Sequence, residues 1–374
     1  MNSGFTGSNT NVAEDLAWMD MLKGVAIIGV VLDHWMILLE PISSSPPLYS
    51  LFRKVPVGTP VHLFFLLSGF GLTMSYLSRQ HDWSWGRWAW RRITKIVVPY
   101  WLAVLFQFMI GILALRLFPS VNLHFSWKSL LAYLTFTRNS YPPSWEWNIA
   151  LWFMPVIIGL YICFPLLVFI LKKWGAWVLC AVTALMTYGS ISMAALLSGR
   201  YLTHSEAIFL FFTIQFALGM ALASVRHKQP RNLDALIGVR SCIAGCALYF
   251  LSWGLKTHVP HGNSYNDALT TGGVFLVLLN VIWVIRKRAP VITRVLGALG
   301  KESYFIFLIH YPIVALIIRP LLRSALHPIM IVGLGFLYIA VIYAVCSLIS
   351  GPMDRFTSWL FRYRRSLPEG TRGR

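Results

Sequence analysis

Ten stretches of about twenty apolar residues, separated by short polar segments, constrain this chain more than any other feature. A hydrocarbon core about 30 Å thick is crossed by a helix of about 20 residues. Runs of that kind lie near 17–39, 60–78, 93–115, 147–171, 175–197, 205–225, 235–256, 268–286, 303–322 and 328–350. Lipid offers no partner to backbone N–H and C=O groups, so each run must satisfy its own backbone as a helix. The expectation is an all-α integral membrane protein of about ten transmembrane helices. Composition agrees: the chain is 57% hydrophobic and only 12% charged, too little charge to cover a soluble chain of 374 residues. The start, MNSGFTGSNTNVAEDLAW, is polar without a basic n-region, so the first run is expected to remain as a membrane helix. The piece SLLAYLTF at 129–136 is too short to span and is expected to lie at the interface or to re-enter.

Orientation follows from lysine and arginine, which collect on cytoplasmic flanks. Arg79, Arg87, Arg91, Arg92 and Lys95 follow the second run, and Lys172 and Lys173 the fourth. Arg226, Lys228 and Arg231 follow the sixth, Arg286, Lys287, Arg288, Arg294 and Lys301 the eighth, and a basic tail follows the tenth. With ten helices these blocks fall on one face together with both termini, so both ends are expected in the cytoplasm. The expected division is a cytoplasmic segment 1–16, a membrane domain 17–350 and a basic tail 351–374. The net charge of +19 then belongs to membrane flanks, and no nucleic-acid partner is expected. The location expected is the plasma membrane, the inner membrane of a bacterium, with lipid as the surrounding partner. Cys163, Cys180, Cys242, Cys246 and Cys346 all sit inside apolar runs and form no CxxC, which suits small buried hydrophobes; Cys242 and Cys246, four apart, share a helix face.

The first run contains the chemistry. LKGVAIIGVVLDHWMILL, residues 22–39, carries Lys23, Asp33 and His34 in an otherwise apolar helix. Ionisable groups inside a membrane face a protein interior or a water-filled cavity and mark function. Lys23 and His34 are eleven residues apart, which puts them within roughly 20° on one stripe and about 16 Å apart along the axis. Asp33 points about a quarter-turn away, and Asp20 stands three residues before Lys23, within pairing reach. An imidazole titrates near neutrality and can act as a general base.

At this point the chain resembles a family. Lys23-x10-His34 is similar to the R-x10-H signature of the acyltransferase-3 family of integral membrane O-acyltransferases. VHLFFLLSGFGLTMSY at 61–76 is similar to its FF-x-x-SGF helix, and RRITKIVVPYW at 91–101 to its RxxR segment followed by Pro-Tyr-Trp. ALWFMPVIIGLYICFPLL at 150–167 resembles its W-F-L-P helix, and LGKESYFIFLIHYPIV at 299–314 its late G-x-x-S-Y…H-x-P helix. Five motifs occur in order from residue 18 to about 314. Two positions depart: Lys23 stands where the family usually has Arg, and Lys95 replaces the second Arg of RxxR. Lys keeps the charge but loses the bidentate fork.

The resemblance implies transfer of an acyl group, usually acetyl from acetyl-CoA, to a hydroxyl of a carbohydrate. His34 would be the base, with Asp33 helping to orient it. Arg91, Arg92, Lys95 and Lys23 would hold the CoA phosphates. Ser68 would polarise the thioester carbonyl, Trp152 would shape the pocket, and His310 would join the site. Direct attack by the alkoxide and a covalent acyl-enzyme both remain open. The acceptor implied is a surface polysaccharide or exopolysaccharide, or its lipid-linked precursor. Acetyl-CoA is a co-substrate, and no metal is expected. Two rivals stand beside this reading: a proton-coupled secondary transporter using Asp33, His34 and His310, and a non-catalytic subunit or glycan carrier.

Overall fold

The computed structural model describes residues 17–39, 60–117, 126–145, 147–199, 202, 206–229, 235–258, 263–322 and 326–366. Among them the chain is helical and forms no strand. We label the helices α1 (Ala17–Leu39), α2 (Pro60–Leu77), α3 (Trp85–Arg92), α4 (Val98–Leu117), α5 (Trp127–Leu134), α6 (Phe153–Ser198), α7 (Thr213–Lys228), α8 (Val239–His258), α9 (Asn263–Arg288), α10 (Pro290–Ile313) and α11 (Pro328–Ser366). Eight helical stretches among the described residues are long and apolar enough to cross a membrane, and Val239–Leu255 is a shorter apolar piece.

One of those stretches, Ile149–Ser198, is 50 residues long. At 1.5 Å per residue it would measure about 75 Å, more than twice a bilayer core. It breaks at Gly175, whose φ of +84° is a left-handed value that glycine adopts without strain. The two spans expected at 147–171 and 175–197 meet at this kink. Other helices run further than their apolar runs. The expected span 303–322 begins thirteen residues earlier, at Pro290, because proline suits a first helical turn and nothing in 291–302 breaks a helix. The last helix likewise continues past 350 to Ser366. These helices outrun the expected apolar spans because charged residues end an apolar run without breaking a helix.

Two helices carry π-turns, each just ahead of a proline. Pro99 has no N–H for the carbonyl of Lys95, and over Ile93–Val97 the ladder widens so that Val98 N–H reaches the carbonyl of Ile93. Pro320 has none for Leu316, and over Val314–Ile318 Arg319 N–H reaches Val314. The widened turn keeps the remaining backbone groups bonded inside an apolar environment.

The chain divides into two compact units. The first contains Met1–Val30, Pro56–Ser78 and Val156–Ser303. Its helices touch through glycine, as expected where lipid removes the hydrophobic drive and close backbone packing replaces it. A Cβ added at Gly69 would overlap the carbonyl of Phe216, and one at Gly219 that of Leu66, so α2 and α7 lie backbone to backbone. Gly24 meets Leu296 and Gly300 meets Asp20 in the same way, locking α1 to α10. Leu22, Ala26, Leu66, Phe70, Phe275 and Leu279 fill the core. The second unit contains Val31–Val55, Arg79–Pro155 and Tyr304–Arg374. Within it Trp35 stacks on Tyr338 with ring centres 5.1 Å apart, and its indole N–H donates to the carbonyl of Ile331 at 2.7 Å. The phenol of Tyr304 donates to the carbonyl of Ile96 inside the first π-turn, at 2.5 Å.

Candidate active site

The second unit brings together two histidines 276 residues apart in sequence. Nδ1 of His34 lies 3.0 Å from Nε2 of His310. Their partners fix the tautomers. Nδ1 of His310 faces the carbonyls of Phe307 at 2.9 Å and Ile306 at 3.1 Å. A carbonyl only accepts, so that nitrogen carries a proton. Nε2 of a neutral His310 is therefore an acceptor, and Nδ1 of His34 donates to it. It follows that Nε2 of His34 is the nitrogen with the basic lone pair. His310 is wholly buried, whereas His34 is half-buried.

Aromatic groups hold the pair. Tyr311 stands edge-on to His34 at 5.5 Å between ring centres, and the phenol of Tyr338 donates to the backbone carbonyl of His310 at 2.6 Å. Phe307 lies 6.0 Å from His310 and is packed in turn by Phe153. Nδ1 of His34 is turned toward His310. His310 lies twenty residues past Pro290, where its helix begins.

A buried amide relay leads away from this pair. Gln107 on α4 donates to the carbonyl of Leu308, two residues before His310, at 3.1 Å. Asn148 donates to Oε1 of Gln107 at 3.0 Å, and the backbone N–H of Asn148 donates to the phenol oxygen of Tyr133 at 3.2 Å. Tyr133 in turn donates to the carbonyl of Ser144 at 2.8 Å. The guanidinium of Arg138 lies 5.8 Å from the ring centre of Tyr133. Burial pushes the Tyr133 phenol up, and the charge of Arg138 opposes that shift. None of Gln107, Asn148, Tyr133 or Arg138 stood out in the sequence. The available signal was a glutamine inside the apolar run LAVLFQFMIGILAL.

The short helix α5 that carries Tyr133 does not span, in line with its length. It closes with Phe136 N–H on the carbonyl of Tyr133 and Thr137 N–H on that of Ala132, a Schellman end. Phe136 occupies the left-handed position with φ +59°, where glycine is usual, and stacks on Tyr100 at 5.0 Å. Trp152 is buried in a 3₁₀ turn, and its carbonyl accepts from Asn139 at 3.0 Å.

The basic cluster falls at a helix junction. Arg91 and Arg92 end α3, whose start is capped by Ser84, and Lys95 sits exposed in the π-turn. The guanidinium of Arg91 lies over the ring of Phe361 at 5.2 Å. In the first unit Lys23 pairs with Asp20 at 3.1 Å, and Ser68 is half-buried beside Gly69, whose backbone touches α7. All five cysteines are free thiols.

The family model described as an acyltransferase domain, of the acyltransferase-3 type, matches residues 16–351. No curated protein and no solved structure gives a match.

Proposed function

Because the chain belongs to the acyltransferase-3 family, we propose that it moves an acetyl group from acetyl-CoA to a sugar hydroxyl, with His34 as the general base. The family makes it a multi-pass membrane acyltransferase. The acceptor proposed is a cell-surface or exopolysaccharide sugar, or its lipid-linked precursor, and the membrane proposed is the plasma membrane. The transporter reading has no support beyond its intramembrane ionisable groups, which the transferase reading also explains.

The observation that carries the proposal is the 3.0 Å contact between the two histidines with its fixed tautomers. Nε2 of His34 takes the proton of the acceptor hydroxyl as its oxygen attacks the thioester carbon. The tetrahedral intermediate collapses, the C–S bond breaks, and the imidazolium returns the proton to the departing thiolate. His310 stays neutral throughout. Its Nε2 lone pair accepts from Nδ1–H of His34, holding the ring and stabilising the positive charge that forms on it. Arg91, Arg92 and Lys95 are proposed to bind the CoA phosphates as charge-assisted donors, and Lys23 is proposed to contact the same cofactor. Asp33 is proposed to act on the imidazole, Ser68 to polarise the thioester carbonyl and Trp152 to border the acceptor.

The test uses purified protein in lipid with labelled acetyl-CoA and a crude lipid-linked glycan extract. CoA release and label transfer are compared between wild type and folded His34→Ala. Transfer lost in the variant supports the proposal. Equal transfer in both moves the base away from His34, and no turnover in either removes the transferase assignment to this acceptor class.

A further inference from the structure

Arg138 has the bulkiest wholly buried side chain among the described residues, at 0% exposure. Its Nη1 donates to Oδ1 of Asn139 at 3.1 Å. Nε and Nη2 have no hydrogen-bond partner among the described residues. A guanidinium cannot shed its charge, and a buried charge without a partner is costly. The two unmet donors lie along one edge of the planar group. That edge grips a carboxylate or phosphate through two parallel N–H···O bonds.

The backbone around this edge is fixed in advance. The carbonyl of Arg138 accepts from Ser144 Oγ and from the indole of Trp145, both at 3.1 Å. Asn139 is tied to the carbonyl of Trp152, and Tyr133 lies beneath the guanidinium. Receptors whose donors are held before binding lose little freedom on binding. The amide relay through Tyr133, Asn148 and Gln107 ends on the helix turn that carries His310. The buried charge and the histidine pair thus belong to one connected piece of the second unit.

We propose that the Nε–Nη2 edge of Arg138 receives an oxyanion carried by the acyl acceptor, so that the enzyme prefers a negatively charged acceptor, either an acidic sugar or a phosphorylated carrier. The acceptor's part in this rests on the transfer reading above; the receptor itself rests on the unmet edge. One other group could answer the charge from within the chain: Glu146, eight residues on and outside the described residues.

Full-length protein in lipid nanodiscs is melted with glucuronic acid, glucose 1-phosphate or glucose, without acetyl-CoA. The variants are Arg138→Gln, Arg138→Lys and Glu146→Gln. We expect one of the anions to raise the melting temperature by about 2 °C or more, while glucose does not. Which anion acts separates carboxylate from phosphate. The rise should vanish in Arg138→Gln and shrink in Arg138→Lys, which keeps charge but not the fork and guards against a misfolded glutamine variant. No rise with either anion in wild type overturns the proposal, as does an undiminished rise in Arg138→Lys. It is equally overturned if Glu146→Gln destabilises as much as Arg138→Gln and the double variant is no worse, since Glu146 is then the counter-ion. Melting involves no acetyl transfer. A protein that binds the anion but never turns over acetyl-CoA would sink the transfer reading and leave the receptor standing.

Discussion

Nδ1 of His34 donates to Nε2 of His310 across 3.0 Å, and the two backbone carbonyls behind His310 decide the direction of that bond. Replacing His34 by Ala should lower kcat about 10²–10⁴-fold, the usual worth of a general base. His310→Gln retains an acceptor oxygen for Nδ1–H, whereas His310→Ala does not. The glutamine variant should therefore keep more activity than the alanine variant, with KM for acetyl-CoA unchanged in both. Steady-state kinetics on folded protein checks the order, and the reverse order removes the orienting role of His310.

The same bond predicts a pH dependence. The proposed base needs the lone pair on Nε2 of His34. Protonation of the pair removes it, so activity should rise with pH through a single ionisation that belongs to the pair. In His310→Ala the remaining imidazole stands alone, and the midpoint of the rise should move. A midpoint identical in wild type and variant, measured from kcat/KM against pH, would show that the pair is not coupled.

The amide relay holds the helix turn that ends in His310. Gln107→Leu leaves the Nδ2 of Asn148 and the carbonyl of Leu308 unmet inside the unit. The expected cost is about 1–3 kcal/mol of stability. Asn148→Leu should cost a similar amount, and the double variant less than the sum because both lie in one network. Thermal unfolding of the four proteins in one detergent measures the coupling, and strict additivity would break the relay.

Close backbone contact at glycine predicts a different failure. A side chain at Gly300 would run into the carbonyl of Asp20, and one at Gly69 into that of Phe216. Gly300→Leu and Gly69→Leu should each destabilise by more than about 3 kcal/mol or abolish folded yield. Leucine at Gly189, which has open space around it, should be tolerated. Fluorescence size-exclusion of the three variants tests the contrast.

The basic cluster is proposed to bind the donor. Arg91→Ala and Arg92→Ala should each raise KM for acetyl-CoA about 10-fold, with kcat little altered. Pro99→Ala restores the missing N–H, removes the reason for the π-turn and rotates Lys95 around the helix. It should raise KM in the same direction while leaving thermal stability unchanged or higher. A fall in kcat without a change in KM would place these residues elsewhere than the donor site.

The all-α membrane architecture was legible because hydrocarbon acts on single residues: each apolar run declares itself without reference to its neighbours. His34 was legible for the same reason, as a titratable group where lipid tolerates few. Lys23 and Asp20 sit three apart on one helix, so their pairing needed only helical geometry. The helix edges at 290 and 366 escaped because charge ends hydropathy without ending a helix. His310 was visible as a residue but not as the partner of His34, since no local rule joins positions 276 apart. Arg138 and Gln107 escaped almost wholly: an arginine in a loop and a glutamine in a run read as ordinary until packing buries them. The sequence by itself determined the all-α membrane class and marked candidate residues for the chemistry. Only the tertiary structure decided that Nδ1 of His34 meets Nε2 of His310 and that Arg138 is buried with one edge unmet among the described residues. Hydrogen-bond direction and burial depend on what the distant chain brings alongside, and no single segment contains that information.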